Sequence, residues 1–352
     1  VELKVKFNGS GTEDGATVFP LRTYRVILKA PASIEVGVSP TRHALSPDGA
    51  HLYVCIFEAR KIVVVSTATY TVIRTIDSPE PTLGPTDISI SPDGTRAYVF
   101  LTTNFVGGPH SVRILDLTTY SFTSGGASPF ATSNDIALTK DGTQLYVGNA
   151  RSISIYDSTN LSQIGTVPLI GLVDNNFITF SPDGTRGYYT SALGTGPSTV
   201  DVIDTVTYSV LRSIGLPNAY AASLTLSPDG SRAYVGYNPR YAGGSNICSV
   251  SVLDMTTERI ITTLNIPDMS ADGHSTFRVI TSLDGTRAYL YGYRYRQIGV
   301  LNTATLTLMP SIPIPAELTG NGVYHITCSP TGAYLYASMA AGSQLGIIPI
   351  RS

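Results

Sequence analysis

One four-residue turn recurs seven times along the chain and constrains the fold more than any other feature. It reads Ser-Pro-Asp-Gly at 46–49, 91–94, 181–184 and 227–230. It is varied to Thr-Lys-Asp-Gly at 139–142, Ser-Leu-Asp-Gly at 282–285 and Ser-Pro-Thr-Gly at 329–332. Proline pre-sets φ for a turn, aspartate bonds its own backbone, and glycine takes a positive φ at no steric cost. Four residues after each turn glycine (Gly49, Gly94, Gly142, Gly184, Gly230, Gly285, Gly332) stands a tyrosine: Tyr53, Tyr98, Tyr146, Tyr188, Tyr234, Tyr289 and Tyr336. These tyrosines lie in stretches with the β-branched and aromatic bias of strands.

Successive turn glycines are 45, 48, 42, 46, 55 and 47 residues apart. Within a unit, one strand enters the turn (87–91) and a second leaves it (96–101). A third (111–116) follows a variable loop and ends in an Asp-x-x-Thr turn that leads to a fourth. The third strand with its turn returns at 62–69, 153–160, 200–207, 250–257 and 299–305. Four strands in about 40–50 residues is the period of a propeller blade. The chain is therefore expected to be all-β: a seven-bladed β-propeller of four-stranded antiparallel blades, one domain over residues 1–352. The seventh unit stops after its third strand at 345–350, so an N-terminal strand should complete the last blade and remove an open sheet edge. Residues 24–29, Tyr-Arg-Val-Ile-Leu-Lys, are the natural candidate.

With SPDGTRAYV at 91–99 and VDVIDTVT at 200–207, the chain resembles the YVTN-type seven-bladed β-propeller repeat proteins over residues 22–350. It departs from them where they are named. The Asn of Tyr-Val-Thr-Asn survives only in Tyr-Val-Gly-Asn at 146–149, and elsewhere the position is Ile56, Leu101, Ser191, Tyr237, Gly292 or Met339. The resemblance implies an exported surface, periplasmic or binding protein, and related propellers include lactonases and lyases.

Composition narrows the field. Charged residues make up 14% with a formal net charge of −2, which gives no strong attraction to nucleic acid or anionic membrane. No apolar run approaches the roughly 20 residues of a membrane span. The chain starts at Val1 without Met or an apolar leader and reads as a processed product. Cys55, Cys248 and Cys328 make no complete disulfide framework, and they read as small buried hydrophobes. A bridge between Cys55 and Cys328, in neighbouring blades, is the lesser alternative. An exported monomer, extracellular or periplasmic, needing no cofactor, is the expectation.

Propeller strands run alternately between two faces, so the variable loops gather around the channel mouth opposite the repeated turns. Seven residues before each turn glycine stand Arg42, Asp87, Asp135, Phe177, Ser223, Arg278 and His325, with His43, Asn134, Asn176, Phe277 and Tyr324 beside them. Different chemistry at one equivalent position marks a candidate site, although an Arg–Asp ring is also able simply to satisfy itself. Loops on the same face add Arg240 and the run Gly-Tyr-Arg-Tyr-Arg-Gln at 292–297. There, alternation would put Tyr291, Tyr293 and Tyr295 on one side and Arg294 and Arg296 on the other. An insertion at 268–275 carrying His274 should cover the mouth.

Two functional readings follow. In the first, the mouth binds an anionic or glycan-like small molecule, or a protein partner. In the second, a cofactor-independent lyase or lactonase uses Arg42 and Arg278 as carboxylate clamp, His325 or Tyr293 as acid–base, and Asp87 or Asp135 to orient the histidine. A purely structural module is the third possibility. The five histidines lack metal-ligand spacing. A Ca²⁺ held by Asp87, Asn134, Asp135 and Asn176 is opposed by the adjacent arginines, so no metal is assigned.

Overall fold

A computed structural model describes residues 30–103, 108–123, 135–148, 152–169, 178–192, 198–217, 221–237, 247–270 and 277–350. In each repeated turn the glycine N–H donates to the carbonyl of the residue three before it, at 2.8–3.0 Å, with φ between 68° and 75°. The turn aspartate is held by its own neighbours. Asp93 Oδ1 accepts from Ser91 Oγ at 2.5 Å and from the Thr95 N–H at 3.0 Å.

The turn also does something local geometry does not require. A Cβ on Gly49 would lie 2.4 Å from the ring of Pro330, the turn proline of the preceding blade. Gly94 stands in the same relation to Pro47, Gly142 to Pro92, Gly230 to Pro182 and Gly285 to Pro228. Gly184 and Gly332 have nothing within 4 Å, and the turns before theirs carry Lys140 and Leu283 instead of proline. The repeated prolines and glycines thus form a hoop of blade-to-blade contacts with two gaps.

The described strands form seven four-stranded antiparallel sheets. The first five blades hold β2–β5 (Pro40–Leu45, His51–Ile56, Lys61–Ser66, Thr71–Asp77), β6–β9 (Gly84–Ile90, Arg96–Thr102, His110–Asp116, Ser121–Phe122), β10–β13 (Ile136–Leu138, Gln144–Gly148, Ser152–Asp157, Gln163–Pro168), β14–β17 (Ile178–Phe180, Arg186–Ala192, Ser198–Asp204, Ser209–Gly215) and β18–β21 (Ala221–Leu226, Arg232–Tyr237, Ile247–Asp254, Arg259–Ser270). The sixth is β22–β25 (Phe277–Thr281, Arg287–Gly292, Gln297–Asn302, Thr307–Pro313). The seventh is β26–β28 (Val323–Cys328, Tyr334–Met339, Gln344–Pro349) completed by β1 (Ser33–Glu35).

The molecule is a seven-bladed β-propeller. Its outer closing strand is β1, paired Ser33↔Gly346, Ile34↔Leu345 and Glu35↔Gln344. Residues 24–29, the expected closing strand, lie outside the described residues. The chain needs only a short edge partner for β28, and the residues immediately before β2 reach that edge first.

Apolar residues collect in seven clusters, each between two neighbouring blades. The seven repeat tyrosines are all buried in these layers, at 7% exposed or less. Tyr98 shows why a tyrosine suits the place: its ring fills the seam, and its hydroxyl donates to the Ser158 carbonyl of the next blade at 2.9 Å. The turns between third and fourth strands put Tyr70, Tyr120, Leu161, Tyr208, Glu258 and Leu306 at φ of 54–58°. Five of these six side chains pack against the layer shared with the preceding blade, which holds a backbone conformation unfavourable for non-glycine residues. Cys55, Cys248 and Cys328 are buried free thiols and form no bridge. Among the described residues no helix is long and apolar enough to cross a membrane.

Candidate functional site

The innermost strands bring Arg42, Asp87, Asp135, Ser223, Arg278 and His325 to one level of the channel. There they act first on each other. Asp87 Oδ2 accepts the Ile136 N–H of the next blade at 3.0 Å. Asp135 Oδ2 accepts the Ile178 N–H at 3.1 Å, and Ser223 Oγ the Val279 N–H at 3.1 Å. In each case the donor is the residue just after the equivalent position in the following blade. Arg278 Nη1 does the same with reversed polarity, donating to the Tyr324 carbonyl at 3.0 Å. One position with three chemistries therefore performs one architectural task.

Arg42 does more. Its Nη1 donates to Asp87 Oδ2 at 2.7 Å and to Asp135 Oδ1, so it spans from the first blade to the third. The side chain is 11% exposed and the two carboxylates 6% each. Burial works against the Arg42 charge, but Asp87 and Asp135 outweigh it and hold its pKa above the ordinary value. Burial, with Asp135 adding repulsion, raises the Asp87 pKa to about 7 against the opposing pull of Arg42 and the Ile136 and Ile88 N–H groups.

Across the seam between blades seven and one, His43 and His325 meet edge to face. Their ring centroids are 4.6 Å apart, the interplanar angle is 77° and the Nδ1 atoms are 3.5 Å apart. His43 is 3% exposed, and its Nδ1 lies 2.8 Å from Ser338 Oγ. Burial pushes the His43 pKa down to about 3, opposed by a hydrogen bond from the ring to the Tyr336 backbone. Burial first, then His43, Arg42 and Arg278, hold His325 well below the ordinary histidine range. Both rings are neutral at pH 7.

The other expected site residues divide. Tyr324 is half-buried, and the Arg278 guanidinium carbon stands 5.0 Å from its ring centroid. Phe277 is wholly buried in the layer between blades five and six. Tyr291 is buried between blades six and seven, while Tyr295 lies between blades five and six with its hydroxyl 2.8 Å from Cys248 Sγ. The two tyrosines thus face opposite seams and do not make one wall. The chain reverses between them, at Arg294 with φ 73° and at Tyr293, which bridges Gly322. Arg294 is exposed over the Tyr293 ring at 5.7 Å. Arg296 is committed to the carbonyls of Leu318, Gly320 and Pro315. Asn134, Asn176 and Arg240 lie outside the described residues, as do Phe177 and His274.

Sequence reasoning missed Ser338, which sits on β27 opposite His325 in the strand register. It also missed Asp201, a buried carboxylate that accepts from Ser191 Oγ at 2.8 Å and Thr199 Oγ1 at 3.1 Å. Tracing register onto the second and third strands, beyond the innermost one, would have found both. Among the described residues no group of three or more His, Cys, Asp or Glu is placed to hold a metal.

Comparison with known proteins follows this geometry closely in shape and little in sequence. No family model and no curated protein matches the chain. Hydrazine synthase of Kuenenia stuttgartiensis is similar in structure, with TM-score 0.72 and 16% identity over 93% of this chain and 99% of that one. The Cps50 (Swd1) β-propeller domain of Myceliophthora thermophila is similar too, with TM-score 0.70 and 13% identity over 91% of this chain and 98% of that one. The likeness is one of fold. At such identities it says nothing of chemistry.

Proposed function

We propose that this chain is an exported, YVTN-type binding propeller that takes an anionic, glycan-like or protein ligand at the channel mouth opposite the repeated turns. The observation that carries this reading is the Arg278–Tyr324 stack beside half-buried His325. A guanidinium held over a ring by a backbone carbonyl is a pre-set platform for an anion on one edge and a sugar face on the other. Arg42 contributes less, because Asp87 and Asp135 already balance its charge. The lyase or lactonase alternative requires Asp87 or Asp135 to orient His325. Those carboxylates instead engage Arg42 and backbone N–H groups, and His325 Nδ1 faces His43. Low charge and the sequence resemblance support export.

Titration with glucuronate, a neutral hexose control and a panel of lactones and glycans tests the reading, following melting temperature and product absorbance. Saturable stabilisation by glucuronate, absent with the hexose and lost in Arg278→Ala, is expected without turnover. Turnover abolished by Arg278→Ala would make the protein an enzyme. Silence across the panel would leave a structural module.

A further inference from the structure

We propose that the seam between the seventh and first blades is an acid-sensitive latch whose moving part is the His43–His325 pair. Three observations place the device there. The two imidazoles belong to opposite sides of that seam, one on β2 and one on β26, and they touch at 3.5 Å through Nδ1 atoms. Ser338 on β27 ties His43 to the seventh blade at 2.8 Å. The ladder that joins the two ends of the ring, β1 on β28, has three residue pairs among the described residues.

The groups facing the pair leave an added proton without support. Arg42 on β2 and Arg278 on β22 are cations. Asp87 and Asp135 are engaged by Arg42 and by the Ile136 and Ile178 N–H groups. Tyr291, Tyr324, Ser338 and the Tyr336 backbone are uncharged. An imidazolium would stand at a buried position (His43) or a half-buried one (His325) beside guanidinium charge, with its nearest neighbour a second imidazole that titrates in the same direction.

The sign follows from linkage. Both folded-state pKa values lie below the unfolded value of about 6.5, so below that pH the unfolded or opened chain binds protons the closed seam rejects. Each histidine then favours opening about tenfold per pH unit, down to its depressed folded pKa. Separation of β2 from β26 exposes both rings at once and leaves the short β1–β28 ladder with its flanking backbone bonds, the Pro330–Gly49 contact and one apolar layer to hold the ring closed.

Hydrogen exchange of the full chain at pH 7 and pH 5, corrected for intrinsic rates, tests the latch. Peptides covering β1–β2 and β26–β28 should lose protection at pH 5 by at least tenfold more than those covering β14–β21. In the variant His43→Gln/His325→Gln this excess should vanish. Imidazole NMR of the wild type supplies a second reading that needs no variant: both rings should stay neutral to pH 4.5. Uniform loss of protection around the ring, or titration of either ring near pH 6.5, would overturn the proposal.

Discussion

Alanine in place of the turn glycines separates local backbone strain from ring contacts within a single protein. Gly332 and Gly49 have φ of 68° and 71°, so a Cβ strains both backbones almost equally. Their surroundings differ. At Gly332 nothing lies within 4 Å, whereas at Gly49 the new methyl would stand 2.4 Å from Pro330 Cγ and 3.1 Å from its Cβ. Left-handed strain costs about 1–2 kcal/mol, partly offset by the smaller entropy of an unfolded alanine, so Gly332→Ala should lose about 1 kcal/mol. Gly49→Ala adds an overlap of more than 1 Å beyond ordinary carbon contact. Overpacking of that kind costs a further ~1–3 kcal/mol, for a total of about 3 kcal/mol. Equilibrium urea unfolding of both variants, with wild-type m-values as the check on the denatured state, measures the difference. Adding Pro330→Ala should return about 1–2 kcal/mol to the Gly49 variant. Equal losses at the two glycines, or no coupling to Pro330, would refute the hoop as a source of stability.

Three further outcomes are expected. Arg42→Ala leaves Asp87 and Asp135 buried without their guanidinium and should cost about 3–5 kcal/mol at pH 7 by chemical denaturation. Because the folded Asp87 pKa is raised to about 7, its stability contribution increases as pH falls from 7 toward 4, and Asp87→Asn should flatten the profile in that window. Tyr208, at φ 56° with its ring against Gly165, tests the strained turns: Tyr208→Gly should be about 1 kcal/mol more stable than Tyr208→Ala by urea midpoint, although both lose the packed ring.

The repeat told the fold because the same local chemistry returned in every blade. A turn whose proline, aspartate and glycine each have one geometric use, followed at fixed distance by a seam-filling tyrosine, leaves little freedom. Closure was legible in kind, while β1, three residues long with no strand pattern beyond Ser-Ile-Glu, was not. The mouth was harder. Counting back from the glycines correctly placed Arg42, Asp87 and Asp135 at one level, but that count is blind to what the next blade offers. Asp87 and Asp135 meet backbone N–H groups there, which turns divergent chemistry into a common stitch. Tyr291 and Tyr295 were misleading for a related reason: strand alternation assumes the strand continues, and the reversal at Arg294 sends the two rings to opposite seams.

The hoop's two gaps divide the blades unequally. Proline–glycine contacts link the turns of blades seven, one, two and three into one arc and those of blades four, five and six into another. A circular permutant whose new termini fall between blades three and four, with the old ends joined, would cut the chain where no such contact exists. All five would survive, including Pro330 on Gly49. The same cut between blades four and five would put the Pro182–Gly230 contact between the two new ends of the chain. Tolerance to relocated termini is therefore written into the ring as a pattern of two permitted places, between blades three and four and between blades six and seven.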